Sequence, residues 1–530
     1  MTHNTQNFDL LVIGAGATGS CLAYEASCRG LKVALLDSGD IGGGTSCRST
    51  KLLHGGVRYL ELAFKTFDLA QLKLVREALL EREYWLKQVP FLTRRIDLVL
   101  PTESLFQKGY YQIGLGIYDA LAGERSIAHS RILSKKQLKI ALPFLREDLN
   151  GGVAYSDGQF DDARLNLLLA LTAKRAGAFI KTRCQVIEFE KNANGKLCAA
   201  ISEDSNGQQN RWNAKAIVNA TGIYSDRLRQ IANSSVEQRM LTSRGVHLVT
   251  AENLCPQNIG LIIPKTNDGR VVFALPFHGR TLVGTTDKPC HFNEVCQPSE
   301  QEKNYLINYI RSWFPKTKKH HITSEWSGGR PLLKPLKERV QTSRVVREHE
   351  IEILPCGLIS AMGGKWTTCR PIALDTLKAV EEVMSHELPK RKQIPIIGST
   401  NNPSLTIKLL YEHKEKLKLL LPNNKLQDKQ TTHLLSNYGL EALPMIENTP
   451  EKDRQPLSNL IPICKAEFKH WIENEYAQTP TDMLARRCRV AMIDIKEAKN
   501  LSSHAVKALR SRGLPTEKLT LEDNPIRLQI

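Results

Sequence analysis

Residues 8–61 read FDLLVIGAGATGSCLAYEASCRGLKVALLDSGDIGGGTSCRSTKLLHGGVRYLE, and the first half of that stretch decides the fold. Phe8–Gly14 is a short apolar run without helical period, which predicts a strand. Gly14-Ala15-Gly16-Ala17-Thr18-Gly19 follows as a turn. Ala17–Arg29 places Cys21, Leu22 and Ala26 at helical spacing and stops at Gly30. Lys32–Asp37 is a second strand that ends in an acid. This is the layout of a dinucleotide-binding βαβ unit. Gly14 permits the tight turn, Gly16 lets backbone approach a pyrophosphate, and Gly19 lets helix and strand pack closely. The helix N-terminus adds N–H groups and the positive end of its dipole. Asp37 is placed to accept from a ribose hydroxyl, which argues against a 2′-phosphate and so for FAD or NAD over NADP.

The second half, Gly39–Glu61, is rich in Gly, Ser and Thr, a composition that suits backbone lying close against a ligand. Ser46, Ser49, Thr50 and Lys51 are candidate donors to a pyrophosphate or a ring. The run continues without interruption into His54, Arg58 and Tyr59. Further on, AKAIVNATGIYSD at 214–226 is a strand running into Ala-Thr-Gly, a second small-residue crossing suited to a cofactor.

A chain of 530 residues implies two or three domains. Its net charge of +18 favours an anionic partner such as a phosphorylated substrate or acidic lipid. The basic excess is densest between residues 51 and 146, with 16 lysines and arginines against nine acids. The 12 cysteines contain no C-x-x-C pair, so zinc ribbons, cysteine-run iron–sulfur sites and a metal in general are not expected. No secretory signal precedes the first strand and no apolar run reaches 18 residues, so a cytoplasmic setting without a spanning segment is expected. Helices are expected at Phe67–Val89, Leu165–Gly177 and Thr368–Met384. Strands are expected at Phe179–Glu190, Leu197–Glu203, Ala216–Ala220, Gly260–Pro264, Val271–Pro276, Leu282–Thr286, Glu350–Leu354 and Leu358–Ala361. Residues 97–125 read only as a mixed apolar region. A linker near residue 390 leads into a lysine-rich helical tail from Leu405.

Several motifs together carry a resemblance: GAGATG, TSCRSTKLLHGGVRYLE, DDARLN at 161–166, VNATGIYSD, GTTD at 284–287, SGGRPL at 328–333, MGGKWTTCR at 362–370, and in the tail HLLSNYGLEAL and DMLARRCRVAM. The sequence resembles the FAD-dependent glycerol-3-phosphate dehydrogenase family, of the bacterial aerobic type, over nearly its whole length. Cys488 stands where that family usually has threonine, and no calcium loop like those of the mitochondrial members is present. The resemblance implies FAD held by Gly14, Gly16, Gly19, Asp37, Ser46, Ser49, Lys51 and Leu52, with Val186 on the adenine side. Thr221 and Gly222 would lie by the pyrophosphate, and Gly364, Lys365, Trp366 and Thr367 would close over the flavin. Substrate would be met by Arg58, Tyr59, His247, Arg330, Arg347 and Lys365. Such a set suits a dianion, because the arginine fork matches phosphate oxygens and gathered cations need an anion to neutralise them. His247 is the candidate general base for the alcohol proton while hydride leaves C2 for the flavin N5. Alternatively, Arg58 or Lys365 lowers the alcohol pKa and water takes the proton.

The fold implied is α/β: a doubly wound, glutathione-reductase-like FAD-binding domain, a mixed-sheet substrate domain and an all-helical C-terminal domain. Its expected segments are 1–90, 151–235 and 346–390 for the FAD domain, 91–150 and 236–345 for the substrate domain, and 400–515 for the helical domain. The implied reaction oxidises sn-glycerol 3-phosphate to dihydroxyacetone phosphate, with electrons passed to ubiquinone or menaquinone. Such an enzyme sits peripherally on the acidic inner face of the cell membrane, with Leu105–Leu121 as a candidate interfacial stretch; a homodimer is among the expectations and nucleic acid is not. Rival readings are an oxidase using O2, a flavin subunit feeding an iron–sulfur partner, and a basic flavoprotein acting on tRNA.

Overall fold

The computed structural model describes residues 6–56, 69–123, 127–256, 258–264, 266, 269–317, 321–334 and 349–514. Arg58, Tyr59 and Arg347 therefore lie outside the described residues.

In chain order, β1 (Gln6–Ile13), α1 (Ala17–Ser27), β2 (Val33–Leu36) and β3 (Leu52–Leu53) are followed by α2 (Leu69–Gln88) and β4 (Thr93–Pro101). Then come α3 (Leu105–Ala122), β5 (Arg131–Leu133), α4 (Lys135–Ala141), β6 (Gly152–Phe160) and α5 (Asp162–Arg175). Four strands follow, β7 (Phe179–Lys181), β8 (Cys184–Lys191), β9 (Leu197–Asp204) and β10 (Gln209–Asn219), and then α6 (Ser225–Ala232). The next five strands are β11 (Met240–Thr250), β12 (Ile259–Ile263), β13 (Val272–Phe277), β14 (Arg280–Gly284) and β15 (Lys288–Pro289). They lead to α7 (Glu300–Trp313), β16 (Ile322–Leu333), β17 (His349–Ile353), β18 (Leu358–Gly363) and α8 (Cys369–Met384). The C-terminal region is helical, from α9 (Pro403–Leu420) and α10 (Gln427–Tyr438) to the helices ending at Arg510.

Two sheets organise the molecule. The first runs β17-β18-β10-β1-β2-β7, with β9 and β8 continuing from β10. Its centre is parallel: β1 pairs with β2 and β10, and β10 with β18. The second runs β15-β11-β14-β13-β12-β4-β6-β3, with β16 on β11 and β5 on β6. The α/β class with a helical C-terminal domain is thus the architecture of the chain. Strands from three separated stretches, 6–36, 179–219 and 349–363, share the first sheet. Short β3 and fully buried β6 lie within spans expected to belong with them, but both join the second sheet; β6 pairs antiparallel with β4 along its whole length.

Local chemistry explains the main elements. Helix α1 is buried on every side, and small residues (Ala17, Gly19, Ser20, Ala23, Ala26) let it fit among β1, α5 and α8 in one core. A Cβ at Gly19 would stand 1.8 Å from the carbonyl oxygen of Gly14, so the helix could not sit at this depth with any other residue there. The expected single strand Phe179–Glu190 is two, β7 and β8, because Arg183 adopts a positive φ of 52° between them. The mixed apolar region resolves into β4 and α3, whose first turn is capped by Ser104 accepting from the Gln107 N–H. Its glycines had masked a helical period. The C-terminal helices pack in two places: Leu417, Leu434, Tyr438 and Ile446 share a core of their own, whereas Met483, Leu484, Val490 and Met492 pack in one cluster with Phe277 and Trp326 of the second sheet.

Candidate active site

A cavity of about 440 Å³ is lined by residues of both sheets. The glycine turn forms one wall. Gly14 has φ 104°, and a Cβ there would meet the Ala220 carbonyl oxygen at 2.7 Å. Gly16 caps α1 without any side-chain hydrogen bond of its own. Ser46 supplies the cap instead, its Oγ accepting from the Ala17 N–H at 2.9 Å. Both glycines and Ser46 line the cavity, whereas Gly19 faces the Gly14 backbone as a packing residue.

At the end of β2, Asp37 lines the same cavity and accepts from the N–H groups of Ala15 (2.6 Å) and Gly39 (2.8 Å). Burial pushes its pKa up to about 6, against those two backbone donors. Ribose hydroxyls donating to it would favour the charged form. Val186 of β8 and Thr221 and Gly222 after β10 line it too. Gly364, Lys365, Trp366 and Thr367 close another side. This segment is pinned rather than loose. The Trp366 Nε1 donates to the Ser46 carbonyl (3.1 Å), the Trp85 Nε1 donates to the Thr367 carbonyl (3.3 Å), and the Trp366 ring packs edge-on against Phe160.

His247 and Arg330 enter from neighbouring strands of the second sheet. In register, His247 of β11 lies opposite Trp326 of β16 and Gly284 of β14. Its ring stacks on Trp326 at 5.6 Å, and the absent side chain of Gly284 makes room for it, since a Cβ there would fall 2.3 Å from the ring. The Nε2 lies 3.0 Å from Thr50 Oγ1, and the buried Nδ1 has no hydrogen-bond partner among the described residues. Burial lowers its pKa to about 3, helped by the nearby charges of Lys51 and Arg330 and opposed by Asp162. The ring is neutral at physiological pH. Arg330 lies over Gly245, which the cavity also touches, and donates to the Thr286 carbonyl (2.9 Å), Thr285 Oγ1 (3.1 Å) and Asp287 (3.3 Å).

Leu52 and Ser49 line the cavity, but Lys51 between them does not. Lys51 adopts φ 62° and is 1% exposed. Its Nζ pairs with Asp162 at 3.0 Å and sits over the Trp326 ring. The sequence reading placed Lys51 on the cofactor; the left-handed backbone turns it to the far side of the loop. Burial, then the Arg489 charge, lowers its pKa to about 8 despite Asp162. Thr50, a candidate cofactor donor by sequence, lines the cavity and is held to His247. Two lining residues went unassigned by sequence: Arg48 donates to the Ser327 carbonyl and to Cys296, and His54 follows on the same loop. Their signal was the unbroken polar run of the loop itself.

These residues fit FAD. The cavity offers the N-terminus of α1, with Ser46 at its first N–H, for a pyrophosphate, an enclosed acid for a ribose, a glycine cradle that Cβ atoms would fill, and a buried imidazole nitrogen lacking a partner. Among the described residues no cluster suits a metal ion.

Residues 9–370 match the FAD dependent oxidoreductase family, and residues 390–512 match the C-terminal domain of alpha-glycerophosphate oxidase. The mitochondrial glycerol-3-phosphate dehydrogenase of Homo sapiens is 35% identical over 516 residues, covering 94% of this chain and 69% of the human one. A probable mitochondrial glycerol-3-phosphate dehydrogenase of Dictyostelium discoideum is 36% identical, covering 93% and 79%. Among solved structures, the glycerol-3-phosphate dehydrogenase from Bacillus halodurans complexed with FAD superimposes with a TM-score of 0.76 at 26% identity, over 96% of this chain and 91% of that one.

Proposed function

The chain belongs to the FAD-dependent glycerol-3-phosphate dehydrogenase/oxidase family, and from that premise we propose that it oxidises sn-glycerol 3-phosphate to dihydroxyacetone phosphate and passes the electrons to a membrane quinone. The observation that carries the substrate half is the placement of a cation, Arg330, and a neutral base, His247, on one cavity with the flavin-side segment Gly364–Thr367. FAD, when bound, supplies the two-electron acceptor. Arg330 and Lys365 bind and orient the phosphate end. His247, a neutral ring, takes the alcohol proton, and Thr50 fixes the ring's orientation through its hydroxyl. The stacked Trp326 and the surrounding buried residues exclude water from that ring. Adding glycerol 3-phosphate to the anaerobic enzyme without nicotinamide is expected to bleach the flavin absorbance; an unchanged spectrum overturns the reading.

The quinone half is supported by α3. Leu105, Phe106 and Ile113 on this helix are 77%, 85% and 69% exposed. No helix among the described residues is long and apolar enough to cross a membrane, so contact through α3 would be peripheral. Exposed Ile132 and Ile140 and several lysines lie nearby in sequence, and the basic excess of 51–146 would be drawn to acidic lipid on the inner face of the membrane. Washing membranes that carry the enzyme is expected to release more protein at high salt than at low; equal release at both removes the electrostatic part. The match of residues 390–512 to an oxidase domain favours one rival, an enzyme that reduces O2. Assaying peroxide against quinone reduction with one purified preparation decides between them.

A further inference from the structure

Three arginines of the C-terminal region, Arg486, Arg487 and Arg489, are 3%, 1% and 1% exposed. None of them lines the cavity, and their burial is tolerable only because each is paired. All three reach across to the N-terminal loop that does line it. Arg487 grips Asp40 with two bonds of 2.7 and 2.8 Å, and Arg486 Nε donates to the same carboxylate at 2.6 Å. At the other end of the loop, one nitrogen of Arg489 donates both to the Cys47 carbonyl (2.9 Å) and to Asp162 (2.7 Å). Asp162 in turn accepts from the Ser49 N–H (2.9 Å), the Ser49 hydroxyl (2.7 Å) and Lys51 Nζ (3.0 Å). Asp40, Ser49 and Thr50 line the cavity.

The backbone on both sides is specialised for this contact. Arg489 has φ 67° and Lys51 has φ 62°, a region that L side chains rarely occupy. Two left-handed residues, one from each end of the chain, thus deliver their cations to a single buried carboxylate. Simple adhesion between domains needs neither conformation. Arg280–Asp494, at 2.8 Å, joins the second sheet to the C-terminal region with ordinary backbone at both residues and away from the loop.

We infer that Arg489, acting through Asp162 and the Cys47 carbonyl, is a positioning residue that holds the Cys47–Thr50 loop in its FAD-binding shape, so that the C-terminal domain is part of the cofactor site. Arg487 on Asp40 fixes the loop's other end. The inference rests on FAD as cofactor and not on the substrate or the electron acceptor, and titration of the wild-type apoprotein with FAD checks that premise separately.

The test uses the full chain in four forms: wild type, Arg489→Lys, Ser49→Ala and Arg280→Ala. Lysine keeps the charge at 489 but loses the planar fork. Ser49→Ala cuts the relay on the loop side without removing a buried charge. FAD dissociation constants come from titration of apoprotein, and the flavin absorption band is recorded for each holoprotein. Arg489→Lys and Ser49→Ala are each expected to raise the FAD dissociation constant tenfold or more and to shift the band. Their double variant should lose less than the product of the two, because both act through Asp162. Arg280→Ala should lower the unfolding temperature while its FAD dissociation constant stays within twofold of wild type. The inference is overturned if Arg489→Lys binds FAD like wild type with an unshifted band, or if Arg280→Ala weakens FAD as much as Arg489→Lys does. Should Arg489→Lys not fold, Arg487→Lys, which acts on the same loop through Asp40 and does not line the cavity, is read against the same two outcomes.

Discussion

Replacing His247 by glutamine is expected to lower kcat for glycerol 3-phosphate oxidation by about 10²- to 10⁴-fold, the usual contribution of a positioned general base, with FAD still bound. Glutamine can keep a hydrogen bond to Thr50 Oγ1, which lies 3.0 Å from the imidazole, but it cannot take a proton. The pH dependence separates this role from a structural one. Burial, Lys51 and Arg330 lower the His247 pKa to about 3, so the free enzyme holds a neutral ring across the whole range from pH 5 to 9. Protonation of His247 therefore produces no acid limb in kcat/KM near its ordinary value. An acid limb near pH ~6 belongs to the second ionisation of the substrate's phosphate, and it should persist in His247→Gln. If the limb disappears with the histidine, the neutral-ring assignment is wrong; if kcat is unchanged, water is the base.

The low pKa also bears on the order of events. A base with so low a value in the free site is weak, and two of the charges that depress it are cations. Arg330 is one of them and lines the cavity. A phosphate dianion placed on Arg330 neutralises that charge and so moves the His247 pKa upward. Substrate binding itself would strengthen the base that acts on it, and a truncated substrate without the phosphate would lose kcat as well as affinity.

How much of this was legible in sequence depended on the range over which each feature is built. The glycine turn, Asp37 and the Gly364–Thr367 segment are local devices: backbone shape and a few adjacent residues make the cradle, so the motif and the site coincide. The β1–α1–β2 unit was legible for the same reason. Helix α3 was not, because its glycines and one exposed apolar face gave no stripe to read as core. The pairing of His247 with Thr50, and of Lys51 with Asp162, joins segments far apart in sequence. No periodicity encodes a contact of that kind. Lys51 shows the limit most clearly, since its place in the loop was right and its direction was set by a left-handed φ that lysine does not advertise. The buried arginines of ARRCR were visible as a charge run, which in most chains would be a solvated face; their burial emerges only once Asp40 and Asp162 are brought beneath them.

Arg330→Ala is expected to raise KM for glycerol 3-phosphate about 10- to 150-fold while FAD stays bound and kcat falls much less. A hydrogen bond to a charged group contributes about 1.5–3 kcal/mol, and a guanidinium facing a dianion in a partly buried site sits at the upper end. The fork is already aimed: Thr286, Thr285 and Asp287 hold it against Gly245, so little rotamer entropy is lost when phosphate arrives. Asp287 limits the gain, because the phosphate must share the cation with a carboxylate 3.3 Å away. Arg330→Lys keeps the charge without the planar fork and should recover part of the affinity, which a purely electrostatic role would recover in full. Arg330→Ala also removes one of the charges that depress His247, so the histidine pKa in that variant should rise above the wild-type value of about 3. Measuring KM and kcat separately for both variants, with the flavin absorbance as the check on cofactor content, tests the assignment. Unchanged KM in Arg330→Ala would place the phosphate elsewhere in the cavity, whereas a loss confined to kcat would make Arg330 a partner of the reacting alcohol instead of the phosphate.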